Sequence, residues 1–135
     1  MKVLVDTPIW SLAFRKKIDK INNIAIKNLI ELIQDRRVAI IGPVRQEILS
    51  GISDRNKYYE IKDKMSLFSD YSIKTDDYEF AAECSNECRR NGIQGSHTDF
   101  LICSVAIKNG WEIFTEDDDF FEYEKYVPIR IYRLK

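Results

Sequence analysis

Val3-Leu4-Val5-Asp6-Thr7-Pro8 decides the fold. The apolar run from Lys2 to Val5 predicts a buried first strand, and Thr7 stands ready to cap a helix whose first position is Pro8. A missing N–H costs nothing there, because the first turn of a helix leaves that donor unused. A strand that passes straight into a helix is the start of a βα unit, and Asp6 sits at the joint.

The same alternation continues outward. Residues from about Asn22 to Gln34 place Ile24, Leu29, Ile30, Leu32 and Ile33 at near-helical spacing, and Val38 to Ile41 predicts a second strand. Gly42-Pro43 opens a helix to Ser50 with Gly51 as its stop, and a more polar helix runs from about Asn56 to Phe68. Tyr71 to Ile73 predicts a short third strand. Thr75 is expected to cap a helix from about Asp76 to Arg90, which Asn91-Gly92 ends. Ser96 caps the next helix, apolar on nearly every side from Phe100 to Ile107 and therefore expected between layers; Asn109-Gly110 stops it. Trp111 to Thr115 predicts a fourth strand, Glu116 to Asp119 an acidic turn before a short aromatic helix, and Ile129 to Tyr132 a last strand. Short turns between alternating elements imply an α/β fold: a central, mainly parallel sheet of four to five strands with helices on both faces. Ligand sites in such sheets form outside the carboxyl ends of the strands.

Composition sets the class. A chain of 135 residues with 44% hydrophobic and 32% charged residues has the make-up of one soluble globular domain, here spanning residues 1–135. The formal net charge of −1 lacks the basic excess that advertises a nucleic-acid binder, although an acidic cluster can mask a basic rim in the sum. Asp6 interrupts the apolar start before a secretory h-region can form, and no apolar run is long enough to cross a bilayer. Cys84, Cys88 and Cys103 read as reduced thiols of a cytoplasmic protein. Cys84 and Cys88 with His97 make a poor zinc set, which wants four ligands at closer spacing.

Four acids fall at strand–helix junctions. Asp6 follows the first strand, Glu47 lies one turn into the helix after the second, Asp99 is in the first turn after Ser96, and Asp117 follows the fourth strand. Each has an ordinary alternative. Asp6 suits a helix start, Glu47 a solvated face, Ser96-His97-Thr98-Asp99 a capping box, and Glu116 to Asp119 a solvated turn. Their shared edge is what speaks for a site, because converging carboxylates repel one another unless a divalent cation lies between them.

Four segments carry a family resemblance: Val3 to Trp10, Ile41 to Gly51, Thr98 to Ala106 and Ile113 to Phe120. In this order and spacing the chain closely resembles the PIN-domain nucleases and, within them, the toxin ribonucleases of the VapC type. The resemblance implies metal-site roles for Asp6, Glu47, Asp99 and Asp117, with Asp119 as an auxiliary acid and Thr7 and Thr115 as orienting hydroxyls. It implies Mg²⁺ or Mn²⁺ as cofactor, RNA as substrate (transfer or ribosomal RNA by likeness), a small antitoxin as partner, and a homodimer. Candidate phosphate contacts are Arg15, Lys16 and Lys17 after the Asp6 motif and Arg45 beside Glu47, although charge runs of this kind also serve as solvated helix ends. A housekeeping PIN nuclease would use the same acids. A receiver-like phosphoacceptor domain is the rival from another class. It is disfavoured because Asp6 has Val5 and Thr7 as neighbours where a receiver pairs two acids.

Overall fold

The structure, a computed structural model, describes residues 1–15 and 22–135. In chain order the elements are β1 (Val3–Val5), α1 (Thr7–Ala13), α2 (Ile24–Gln34), β2 (Val38–Ala39), α3 (Gly42–Ser50), α4 (Arg55–Met65), α5 (Thr75–Arg90), α6 (His97–Asn109), β3 (Glu112–Phe114) and α7 (Asp119–Tyr123). The strands are parallel in the order β2-β1-β3, with Val3 opposite both Val38 and Glu112. All three residues of β1 are fully buried. Successive strand side chains point to opposite faces, so both faces of the central strand are covered. The chain leaves β1 to one side for β2 and reaches β3 on the other. The carboxyl end of β1, where Asp6 lies, is therefore the topological switch point of the sheet.

Among the described residues the sheet has three strands, not the four to five expected. Tyr71 and Ile131 each reach it by a single parallel bridge, to Ile41 and Ile113. Tyr71 N–H donates to Ile40 C=O at 2.8 Å, but the cap of α5 at Lys74 follows too soon for a ladder to grow. At the other edge Ile113 makes two bonds with the chain around Ile131, donating its N–H to Arg130 C=O and accepting the Tyr132 N–H, just beyond Pro128, which has no N–H to contribute. The apolar patterns report packing against the sheet edge, with Tyr71, Ile73 and Ile131 half-buried and Ile129 and Tyr132 buried.

α6 is the central helix. Phe100 to Ala106 are all buried, and the helix packs on α5, β1 and β3. Its amphipathic pattern is lost because it has no wet face along that stretch. Gly110 ends it in the left-handed region at φ 69°, a conformation that favours glycine. Two caps differ from expectation. Asp6, not Thr7, caps α1, and Lys74 rather than Thr75 precedes the first turn of α5, where its N–H donates to Asp77 Oδ2 at 2.9 Å. Trp10 belongs to the core, its Nε1–H donating to Val5 C=O at 3.3 Å and its ring meeting Phe68 at 5.1 Å.

Arg45, a candidate phosphate contact, is engaged within the fold. Its Nε donates to Asp70 Oδ1 at 3.0 Å, one terminal nitrogen to Met65 C=O at 2.8 Å, and the other to Phe68 C=O at 2.5 Å. The guanidinium thus adds a second donor to Met65 C=O, which also accepts the Phe68 N–H at 3.0 Å, and holds Phe68 C=O beyond the end of α4. Arg45→Ala is expected to lose about 2–3 kcal/mol of stability, since charge-assisted bonds vanish and acceptors are left open. Urea unfolding reads this directly, and an unchanged midpoint would show that the clamp is idle.

Candidate metal centre

Two strand ends build the site. Val5 pairs with Phe114, so the next residues, Asp6 and Thr115, meet across the carboxyl ends of β1 and β3. Asp6 N–H donates to Phe114 C=O at 2.9 Å, and Thr115 Oγ1 donates to Asp6 Oδ2 at 2.8 Å. The other Asp6 oxygen accepts the Thr7 N–H at 2.8 Å, which caps α1. Both threonine hydroxyls extend this chain of contacts. Thr7 Oγ1 donates to Glu47 Oε2 on α3 at 3.1 Å, and Thr115 Oγ1 accepts the Asp117 N–H at 2.9 Å.

A second set of acids closes on the same edge. Ser96 Oγ accepts the Asp99 N–H at 3.0 Å, so the serine half of the capping pattern forms and fixes the start of α6. The Asp99 carboxylate takes the phenol of Tyr123 at 2.7 Å on Oδ2. Asp119 N–H donates to Asp117 Oδ1 at 2.9 Å, tying the two acids after β3 into one turn. One oxygen from each of Asp99, Asp117 and Asp119 lies within 4.8 Å of the other two. Asp6 stands outside that trio but is near enough to feel the charges of Asp99 and Asp117. Glu47 is exposed and is joined to the site by Thr7.

Electrostatics separates Asp6 and Asp99 from a structural acid. Burial pushes Asp6 up from the usual 3.8 to about 6, with the charges of Asp99 and Asp117 adding to it against the bonds from Thr115 and Thr7. Burial likewise raises Asp99, aided by Asp117 and Asp119 and opposed by Tyr123 and Ser96. Asp77 makes the contrast. It is fully buried too, and burial acts to raise it, but the Lys74 N–H, Lys108 and Tyr71 outweigh that effect and its pKa falls. Lys108 Nζ lies 3.1 Å from its Oδ1. Among the described residues, no lysine or arginine forms an ion pair with Asp6, Glu47, Asp99, Asp117 or Asp119. An all-oxygen donor set without a basic partner fits a hard divalent cation such as Mg²⁺ or Mn²⁺.

The remaining candidates fall in different places. Arg15 is exposed at the end of α1 and, with Lys57 and Glu47, lines a cleft of about 220 Å³ between α1 and α3. Lys16 and Lys17 lie outside the described residues. His97 is exposed, whereas Cys84, Cys88 and Cys103 are buried and free, and burial raises the Cys84 thiol to about 11. These thiols stay protonated and belong to the core. Neither Tyr123 nor Lys57 carries a signal for the site in the sequence. An aromatic residue three places after Phe120 reads as core, and nothing in its spacing pairs it with Asp99. Burial and the bond to Asp99 push the Tyr123 phenol upward, so it remains a donor.

Residues 3–126 match the family model described as PIN domain. The chain is 32% identical over 125 residues to Ribonuclease VapC11 of Mycobacterium tuberculosis, covering 87% of this chain and 88% of that protein. Its fold is similar to a chain in the crystal structure of VapBC2 from Rickettsia felis bound to a DNA fragment from their promoter, at TM-score 0.79, 19% identity and full coverage of both chains (100% each). It is also similar to a chain in the structure of FitAcB from Neisseria gonorrhoeae, at TM-score 0.77, 16% identity, and coverage of 97% and 96%. At these identities the two structural likenesses speak for the fold.

Proposed function

This chain belongs to the PIN domain family, among its VapC-type members, and we propose that it is a metal-dependent endoribonuclease, the toxin of a type II toxin–antitoxin module. The observation that carries this reading is the meeting of Asp99, Asp117 and Asp119 within 4.8 Å, beside a buried Asp6, with no basic ion-pair partner among the described residues. Asp6, Asp99, Asp117 and Asp119 would hold Mg²⁺ or Mn²⁺, and Glu47 is the remaining acid of the site, tied to it by Thr7. When bound, such an ion lowers the pKa of water and offsets charge building on phosphate oxygens.

The protein's own residues do the positioning. Thr115 holds Asp6 and the backbone of Asp117 at once, so the two strand ends move as one piece. Thr7 spans from the Asp6 carboxylate, through its N–H, to Glu47, through its hydroxyl. Arg15 and Lys57 flank Glu47 in the cleft and would meet the RNA backbone. The relative whose name reads Ribonuclease VapC11 and the structure described as VapBC2 support RNA as substrate and a small antitoxin as partner; a homodimer and cytoplasmic action go with that assignment. No helix among the described residues is long and apolar enough to cross a membrane. Membership of the PIN family weighs against the receiver-like alternative.

Water, not the ribose 2′-hydroxyl, is the nucleophile on this account. The chain has one histidine, and His97 is exposed, so the acid–base pair needed for 2′-hydroxyl attack has no source there. Cleaved RNA should therefore carry 5′-phosphate and 3′-hydroxyl ends. Expression of wild type beside Asp99→Asn, followed by end mapping of cellular RNA, tests both the activity and the chemistry. Growth arrest with discrete new 5′-phosphate ends only in the wild type is expected; arrest-free cleavage would favour a housekeeping nuclease, and 2′,3′-cyclic ends would contradict the mechanism.

A further inference from the structure

Tyr123 carries a hydroxyl where the core has no use for one. Its side chain is fully buried at the end of α7, with its ring 4.9 Å from that of Phe100 and 5.2 Å from that of Phe120. A phenylalanine would fill the same aromatic cluster without bringing a polar atom indoors. The phenol is spent on one partner, Oδ2 of Asp99 at 2.7 Å. That carboxylate faces two others, Asp117 and Asp119, and like charges drive it to rotate away. Ser96 already holds the backbone of Asp99 through its N–H, which leaves the side-chain torsions as the remaining freedom.

Gly95 fits the same device. A Cβ there would collide with the Tyr123 hydroxyl and its ring carbon Cζ, and would press on Phe100. The position needs glycine for space: a side chain would occupy the volume the phenol uses to reach Asp99. The stretch Gly95-Ser96 thus serves the first turn of α6 twice, once by a missing side chain and once by a capping oxygen.

We infer that Tyr123 is a positioning residue of the metal centre, locking Oδ2 of Asp99 so that the three carboxylates stay convergent, with Gly95 making room for it. This rests on the metal-site reading above. Partners of this kind, which orient a ligand without touching the metal, typically contribute 10–100-fold in metal affinity.

Isothermal titration of the full chain with Mn²⁺ alone tests it, on wild type, Tyr123→Phe, Gly95→Ala, Asp99→Asn and a control, Tyr132→Phe. Tyr132 is also a buried tyrosine, but its hydroxyl donates to Asn28 Oδ1 at 2.8 Å, away from the acids. Tyr123→Phe should raise the Mn²⁺ Kd about 10–100-fold while Tyr132→Phe leaves it unchanged, and the two should have similar unfolding midpoints. Gly95→Ala keeps the phenol but displaces it, so it should reproduce the loss. It also decides the matter should Tyr123→Phe fold poorly. If wild type binds Mn²⁺, Asp99→Asn does not, and Tyr123→Phe and Gly95→Ala match wild type, the positioning role is overturned while the metal site stands. If wild type takes up no Mn²⁺, both fall.

Discussion

Asp99→Asn should abolish measurable Mn²⁺ binding and lower RNA cleavage at least about 100-fold, with the fold intact. The substitution is nearly isosteric and leaves what holds α6 in place: Ser96 still accepts the backbone N–H of residue 99, and an asparagine oxygen can still accept from Tyr123. What disappears is the anion at the centre of the acidic trio. Burial and the neighbouring acids oppose the Asp99 charge, so removing it relieves strain in the metal-free protein and stability should hold or rise. A simple misfolding effect would show the opposite sign. Full cleavage by Asp99→Asn, measured on purified protein with saturating Mg²⁺, would take this residue out of the site.

Asp6→Asn should stabilise the metal-free protein near pH 7.5 and yet lose activity. Asp6 goes from 3.8 in the ordinary state to about 6 in the fold. The folded chain therefore binds this proton more tightly than the unfolded chain does. Stability is free of the penalty below pH 3.8, falls as pH climbs through the interval, and carries the full penalty above about 6. Two pKa units correspond to roughly 3 kcal/mol, and allowing for weaker bonds from Thr7 and Thr115 to a neutral amide, a net gain of about 1–3 kcal/mol is expected. For a domain of this size that is a rise of about 3–10 °C in Tm. Wild type should lose stability between pH 4 and 6.5 in chelator, and the variant should lose less. Saturating Mg²⁺ should then reverse the order by stabilising the wild type, by about 4.1 kcal/mol at a thousandfold excess over Kd. A destabilised Asp6→Asn in chelator would mean that Asp6 serves the fold as a cap and nothing more.

The parts of this architecture visible in the sequence are those set by neighbours in the chain. β1 followed by Asp6, the Ser96 cap, the all-round apolar α6 and its stop at Gly110 are local patterns, and all of them are present. Strand number was less legible. Apolar residues at 71–73 and 129–132 are what a strand needs for burial, but ladder length depends on how the backbones approach, and each makes a single bridge. The acids at strand ends were likewise visible, while their separations were not. Asp119 stands with Asp99 and Asp117 in the close trio, and Glu47, placed by the packing of α3 on α1, is reached through Thr7. Arg45 sits on the helix that carries Glu47, and its bonds to Asp70 and to the carbonyls of Met65 and Phe68, some twenty residues away, are not legible from its neighbours in the chain. The pairing of Tyr123 with Asp99, across 24 residues, is of the same kind.

A crystal of the full chain grown with Mn²⁺, with anomalous data collected near the manganese edge, bears most directly on the central claim. An anomalous peak ligated by oxygens of Asp99 and Asp117, with Asp119 and Asp6 beside it, is the expected result. A peak elsewhere on the molecule, or none there at a concentration that supports RNA cleavage, would contradict it.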